Sequence, residues 1–374
     1  MNKKIIIFAV YDTLHHEYRG FKTAHSFLKN GYEVKVIGIR YDNDELKGWE
    51  GIENERIRLF KTLPLILNMM IFWIKLFFVL IREKCTVLYS HDIFPLLPVF
   101  LVSRLKRKPY IYDAHEFWHG NSQVEDRPAA KIFWTSYEKI FIKGAKRIIT
   151  VSEPIARELE RIYGLEEVRV FTNLPLKKDI PANKDILHDT AGIDKAKRIV
   201  LYQGHFLVNN GLDGIIRSFV KVDESAVLVL IGDGSEKYRL RDLAAKLRIG
   251  HRVYFAGPFP HSELINYTVC AYIGLCLIKN FGKSYYYSAP NKMFELIQAQ
   301  VPQIASDFPE MSRYVKGYNV GEVTDPENED VIAEKINGLL NDDIKYNSYK
   351  SNCIKAGSEL VWESIEKELV KIAD

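Results

Sequence analysis

Short runs of Ile, Val, Leu and aromatic residues alternate along the chain with longer segments of helical spacing, and that rhythm predicts its elements. In the first half the runs are "KKIIIFAV", "YEVKVIGI", "CTVLYSHD", "KPYIYDAHE", "KRIITVSE" and "VRVFTN". In the second half they are "RIVLYQGHF", "AVLVLIGDG", "HRVYFAGPF", "AYIGLCLI", "VPQIASD" and "NVGEV". Runs that are apolar on both faces, each followed by a helix-length segment, indicate parallel strands covered by helices. Two such series predict an α/β protein of two Rossmann-like domains, residues 1–176 and 198–355. The polar, proline-bearing stretch 177–197 is expected to link them. Residues 356–374, with Leu360, Ile365, Leu369 and Ile372 at helical spacing, predict a C-terminal helix able to fold back on the N-terminal domain.

The segment "LPLILNMMIFWIKLFFVLI" (63–81) approaches the length of a membrane span and is flanked by Lys61 and Arg82. The strand that follows should join the same sheet as "KKIIIFAV", so a crossing would split that sheet. A buried helix is the leading expectation, and a helix with one face on a membrane surface the next.

Composition narrows the class. A chain of 374 residues, 47% hydrophobic and 27% charged, is long enough for two ordinary domains. A net charge of +4, from 52 basic and 48 acidic residues, gives no argument for nucleic acid. Basic residues do gather in "SRLKRKP" (103–109) and "KGAKR" (143–147), which are either a solvated face or a surface for anionic lipid or substrate. Cys85, Cys270, Cys276 and Cys353 match neither a zinc nor a redox spacing, so a reducing, cytoplasmic setting is expected.

In open parallel sheets ligands bind beyond the carboxyl ends of the strands. Tyr11, Asp12, His91, Asp92, Asp113, His115, Glu116, Ser152, Glu153, Gly204, His205, Gly232 to Gly234 and Gly257 lie there. If both sheets turn these ends toward one another, the site is an interdomain cleft.

Six segments in order, "YDAHEFW" (112–118), "VSEPIARELERIYG" (151–164) leading to "FTNLP", "LYQGHFLVNNGLDGIIRSF" (201–219), "VLIGDGSEKYRLRDLA" (229–244), "VYFAGPFPHSELINYTVCAYIGL" (253–275) and "SAPNKMFELIQAQVPQIASD" (288–307), make the sequence similar to the retaining glycosyltransferases of the GT-B fold, glycosyltransferase family 4 (glycosyl transferases group 1). The resemblance implies an N-terminal acceptor domain and a C-terminal donor domain. It implies a nucleotide-sugar donor, UDP- or GDP-linked, a glycan or lipid-linked acceptor, a role in cell-surface polysaccharide synthesis, and no essential metal or other cofactor. The apolar helix at 63–81 and the basic clusters suit such an acceptor at the inner face of a membrane, with the protein peripheral to it.

The resemblance also assigns residues. Glu295 matches the second of two family glutamates, which accepts hydrogen bonds from the nucleotide ribose; an ionised carboxylate suits a cis diol. The first glutamate's position holds Tyr287, a departure from the pattern. Ser288, Asn291 and nearby amides are candidates for the sugar or diphosphate, Gly204 and Gly232 for the donor loop, and Gly257 for the base. Where many members carry an arginine and a lysine, "GHFLVNNG" (204–211) has His205 and Asn210. The charge of the departing diphosphate then falls to Lys283, Lys292 and His205, with Lys279 behind them. His115 matches a histidine beside the donor sugar. Asp12 is placed on the acceptor side, and Glu116 either orients His115 or serves the acceptor.

Other readings compete. No Gly-x-Gly-x-x-Gly follows the first strand, which disfavours a dehydrogenase. "DND" (42–44) is the only sign of a metal-dependent transferase of the other fold. The missing Arg/Lys pair motivates an inert nucleotide-sugar-binding partner or regulatory subunit, and an epimerase of the same fold stays open.

Overall fold

The first strand, "IIIFAV", has no polar face, so both of its sides must be covered by protein. In the computed structural model, which describes residues 4–15, 17–42, 46, 48–121, 124 and 127–374, this strand (β1, Ile5–Val10) lies inside a parallel sheet. It is joined by β2 (Glu33–Arg40), β3 (Glu53–Arg58), β4 (Val87–His91), β5 (Tyr110–Ala114), β6 (Arg147–Thr150) and β7 (Arg169–Val170). The order β3-β2-β1-β4-β5-β6-β7 reverses direction between β1 and β4, the switch point where open α/β sheets bind ligands.

A second parallel sheet contains β8 (Arg198–Gln203), β9 (Ala226–Ile231), β10 (Val253–Gly257), β11 (Ile273–Cys276), β12 (Gln303–Ser306) and β13 (Gly321–Thr324), in the order β10-β9-β8-β11-β12-β13. Its switch point lies between β8 and β11. Its core gathers Val200, Tyr202, Leu228, Leu230, Ile273 and Leu275 beneath helices that supply Ile215, Leu240 and Ile332. The chain thus forms two Rossmann-like units, one of Met1–Asn173 with Trp362–Asp374 and the other of Leu174–Val361.

Three features differ from expectation. Strand β3, "ENERIR", is absent from the sequence reading because only Ile57 of it is buried. It is an edge strand kept polar, and Glu53 Oε1 stands 2.8 Å from Lys35 Nζ of β2. The stretch 177–197, expected as a linker, belongs to the second unit; it contains the helix Ile186–Ala191, and Leu187 and Ile193 are buried. Finally, the helix Leu65–Arg82 is buried on one side only, through Phe72, Leu76 and Leu80. It joins β3 to β4 within one sheet.

The C-terminal helix Trp362–Lys371 packs in the first unit. Buried Trp362 donates its indole N–H to Ser26 Oγ (2.8 Å) on the helix Tyr18–Lys29, and Lys22 Nζ stands 4.6 Å from the indole ring.

Candidate functional site

At the carboxyl ends of β4 and β5 the first unit holds a buried charge network. Arg19, from the start of the helix Tyr18–Lys29, makes a two-point contact with Asp113 (Nε to Oδ2 2.9 Å, Nη2 to Oδ1 3.0 Å) and donates to the Phe171 carbonyl (2.8 Å). Tyr89 adds a hydroxyl to Asp113 Oδ2 at 2.7 Å. Burial would raise the Asp113 pKa, but Arg19 outweighs it and the carboxyl is held below its ordinary value.

Beside this pair stand two imidazoles whose ring centroids are 4.2 Å apart, His91 and His115. His91 Nε2 lies 3.1 Å from Glu17 Oε1. Burial alone would lower His91, yet Glu17 and then Asp113 raise it. Burial, and next the charge of His91, pushes His115 down to about 3. The arrangement therefore favours the protonated form of His91 and keeps His115 neutral. His115 Nε2 is buried with no hydrogen-bond partner among the described residues.

Asp12 and Glu116 are held more locally. Asp12 Oδ1 accepts the Leu14 N–H (2.7 Å) and its carbonyl accepts from Ile39 N (2.9 Å), closing the turn after β1. Exposed Glu116 accepts from Asn121 Nδ2 at 2.6 Å. Nearby, Asp92 holds a left-handed φ of 66° and accepts from the Trp118 indole. For the "DND" segment, Asn43 and Asp44 lie outside the described residues; Asp42 pairs with Lys61 Nζ at 2.6 Å.

The second unit builds its site around Glu295, in the helix Asn291–Gln298. Glu295 Oε2 accepts from Gln203 Nε2 (2.6 Å), the last residue of β8, and Gln203 Oε1 accepts from Thr268 Oγ1 (2.8 Å). One carboxylate oxygen is thereby fixed from the sheet. His261 Nδ1 is 3.8 Å from Oε1. Lys178 donates to the His261 carbonyl (3.2 Å), and burial, opposed by Glu295, lowers its pKa.

Glycines bring the strand ends close enough to matter. Gly232 has φ 142°, and a Cβ there would stand 1.9 Å from the Gly204 carbonyl oxygen. No other residue fits without moving the loop. Gly204 N donates to Ile231 O (2.9 Å) and Gly232 N to Gly257 O (3.0 Å), so the three glycines expected in the donor site share one hydrogen-bonded rim.

The proposed cations separate. Lys292 Nζ stands 4.2 Å from the Tyr202 ring centroid, next in chain to Gln203. His205 is exposed, and its carbonyl accepts from Tyr202 (3.0 Å) and Asn210 (2.7 Å). Lys283 is exposed at the start of the short helix Lys283–Tyr286. Lys279 is committed to Asp213, at 3.1 Å. Ser288 Oγ donates to Tyr285 O (2.8 Å), the tyrosine whose hydroxyl meets Asn209. Asn291 is exposed at the start of its helix, which has no side-chain cap.

Sequence reasoning missed Glu17, Arg19, Gln203, Thr268, His261 and Lys178. The available signal was a charged or amide residue ending an apolar strand, as Gln203 does after "RIVLY".

Two family models match the chain: one described as Glycosyltransferase Family 4, over residues 21–173, and one described as Glycosyl transferases group 1, over residues 183–356. An uncharacterised glycosyltransferase of Methanocaldococcus jannaschii is 25% identical over 372 residues, covering 93% of this chain and 91% of that one. Among solved structures, the sucrose-phosphate synthase of Thermosynechococcus elongatus superposes with a TM-score of 0.83 at 16% identity, covering 99% of this chain and 98% of the other. HepE of Anabaena, in complex with UDP-glucose, gives 0.77 at 16% identity, with 98% of each chain covered. At these identities the two structures show the fold.

Proposed function

Because the chain belongs to the glycosyltransferases described by those two models, we propose that it transfers a sugar, with retention of configuration and without a metal, from a UDP-sugar to a glycan or lipid-linked acceptor. The observation that carries the donor reading is the fixed Glu295 carboxylate: Gln203 holds one oxygen from the sheet, while acceptor capacity remains for a ribose diol. HepE, similar in fold, is described with UDP and with UDP-glucose, which favours UDP over GDP.

In the proposed reaction the bond from the anomeric carbon to the diphosphate oxygen breaks and a bond to the acceptor hydroxyl oxygen forms on the same face. The acceptor's proton passes to the departing phosphate, so no side chain serves as an indispensable base. Lys292 and His205, beside the end of β8, supply positive charge or donors to the leaving group. The Gly204, Gly232 and Gly257 rim admits the nucleotide close to backbone. Neutral His115 donates to or accepts from a sugar hydroxyl, with Asp12 and Glu116 toward the acceptor. Four buried, unbridged cysteines support a reducing, cytoplasmic setting, and synthesis of cell-surface polysaccharide is the role that fits.

Release of UDP from UDP-glucose and related donors, followed in EDTA with the product's anomeric configuration read by NMR, tests this. Metal-independent turnover with retention is expected. One observation favours a second reading, the inert donor-binding partner: loop 204–211 has no lysine or arginine. Nucleotide binding with no turnover on any donor would select it.

A further inference from the structure

Strand β3 sorts its charges by face. Glu53 and Glu55 stand on the side of Lys35, whose Nζ lies 2.8 Å and 3.5 Å from their carboxylates, and Arg82 closes on Glu55 from the helix that follows. Alternation along the strand sends Asn54, Arg56 and Arg58 to the opposite side. In the parallel register Asn54 lies beside Val36, Arg56 beside Gly38, and Arg58 beside Arg40, the last two residues each ending a strand. On that side neither strand carries an acid.

Like charges set side by side in a sheet repel unless something neutralises them. Among the described residues neither Arg40 nor Arg58 has a carboxylate partner. Arg40 Nε is buried without a hydrogen bond, and the Arg58 guanidinium has only the Phe60 ring, at 5.9 Å. Asp42, two positions past Arg40, is paired with Lys61 at 2.6 Å. Lys75 adds positive charge, its Nζ 3.0 Å from the Arg58 carbonyl. A buried donor without an acceptor costs stability. Two such cations side by side call for one anion that both can grip.

The turn after β1 walls the place. A Cβ at Gly38 would stand 2.7 Å from Leu14 Cγ and 2.9 Å from the Asp12 carbonyl oxygen, so the glycine lets that turn lie directly on β2. Trp49 pins the turn by donating its indole N–H to the Leu14 carbonyl at 3.0 Å, and His15 Nε2 reaches Arg56 Nη1 at 3.4 Å. These are carboxyl ends of strands, the ligand edge of an open parallel sheet.

We propose that Arg40 and Arg58 bind a phosphate group, two guanidinium forks on one anion, and that this phosphate is carried by the acceptor. Two uncompensated cations match the nearly divalent charge of a phosphate better than the single charge of a carboxylate. The site stands without the transferase reading, and its assignment to the acceptor rests on that reading.

Calorimetric titration of the full chain with inorganic pyrophosphate, in excess UDP to occupy the second unit, tests the site. The parent should bind pyrophosphate, more weakly as salt rises. Arg40→Ala and Arg58→Ala should each weaken binding roughly tenfold or more. Lys221→Ala, which removes an exposed charge of the second unit, should bind like the parent. Without anion, Arg58→Ala should melt no lower than the parent, because it removes one of two opposed like charges. A lower melting temperature would make the pair structural and overturn the proposal. So would a parent that ignores pyrophosphate, or arginine variants that bind it equally well. Competition then names the carrier: displacement by glucose 6-phosphate points to a free phosphorylated sugar, and displacement by farnesyl diphosphate to a lipid-linked one. Displacement by neither, or more strongly by glucuronate, overturns the phosphorylated acceptor. If no donor releases UDP while pyrophosphate still binds, the transferase reading fails, and with it the acceptor assignment, but not the site.

Discussion

The two sets of strand ends solve opposite problems. In the first unit the charged groups pair with one another, Arg19 and Tyr89 with Asp113 and His91 with Glu17, and His115 Nε2 is left over. In the second, Glu295 is gripped from one side by Gln203 and Thr268 while its helix start, the glycine rim and Lys292 are positioned by packing rather than neutralised. A network that closes on itself gives rigidity and a defined protonation state. A carboxylate held by one oxygen gives a place for a ligand. The comparison assigns shape and neutrality to the first unit and charge recognition to the second.

The largest effect should come from opening the closed network. Asp113→Ala leaves a buried Arg19 without its carboxylate and should cost about 3–5 kcal/mol of stability, read by denaturant unfolding, while UDP affinity stays near the parent's. A loss below about 1 kcal/mol would show that the network is not the structural unit described.

Lys292→Ala probes the other side. Turnover should fall by roughly a hundredfold, the scale of one preorganised electrostatic contact, with stability little changed. Equal loss on Lys279→Ala would contradict the separation of the two lysines, since Lys279 is paired with Asp213.

The imidazole pair gives a pH test. Folded His115 is lowered to about 3 from its ordinary value of 6.5, so below about pH 6.5 the unfolded chain binds a proton that the folded chain refuses. That contribution to stability is present at neutral pH and is lost as pH falls from about 6.5 toward 3. Raised His91 runs the other way: its contribution is full below pH 6.5 and fades as pH rises through its folded value. His115→Gln should flatten the acid limb of an unfolding-midpoint profile. An unchanged limb would mean that His115 is not the group held neutral.

How much of this was legible beforehand follows from which interactions are local. Both parallel sheets could be read because strands such as "IIIFAV" and "AVLVLI" are apolar throughout, whereas β3 could not, because an edge strand needs only Ile57 inside. Glu295 was singled out through its motif. Gln203 was not, because its partner is 92 positions away and a polar residue ending a strand is usually only its end. Arg19 was hidden in the same way by its distance from Asp113. Lys178 fell in a polar stretch that reads as linker until the buried Leu187 shows it to be folded.

The central claim is that Glu295 reads the nucleotide. Calorimetric titration of the purified chain with UDP in EDTA, beside Glu295→Ala, tests it most directly. UDP should bind the parent, and the variant should bind it roughly 10- to 100-fold more weakly, the loss expected for one or two hydrogen bonds to a charged acceptor, with an unchanged melting temperature. A parent that does not bind UDP, or a variant that binds it equally well, would contradict the account.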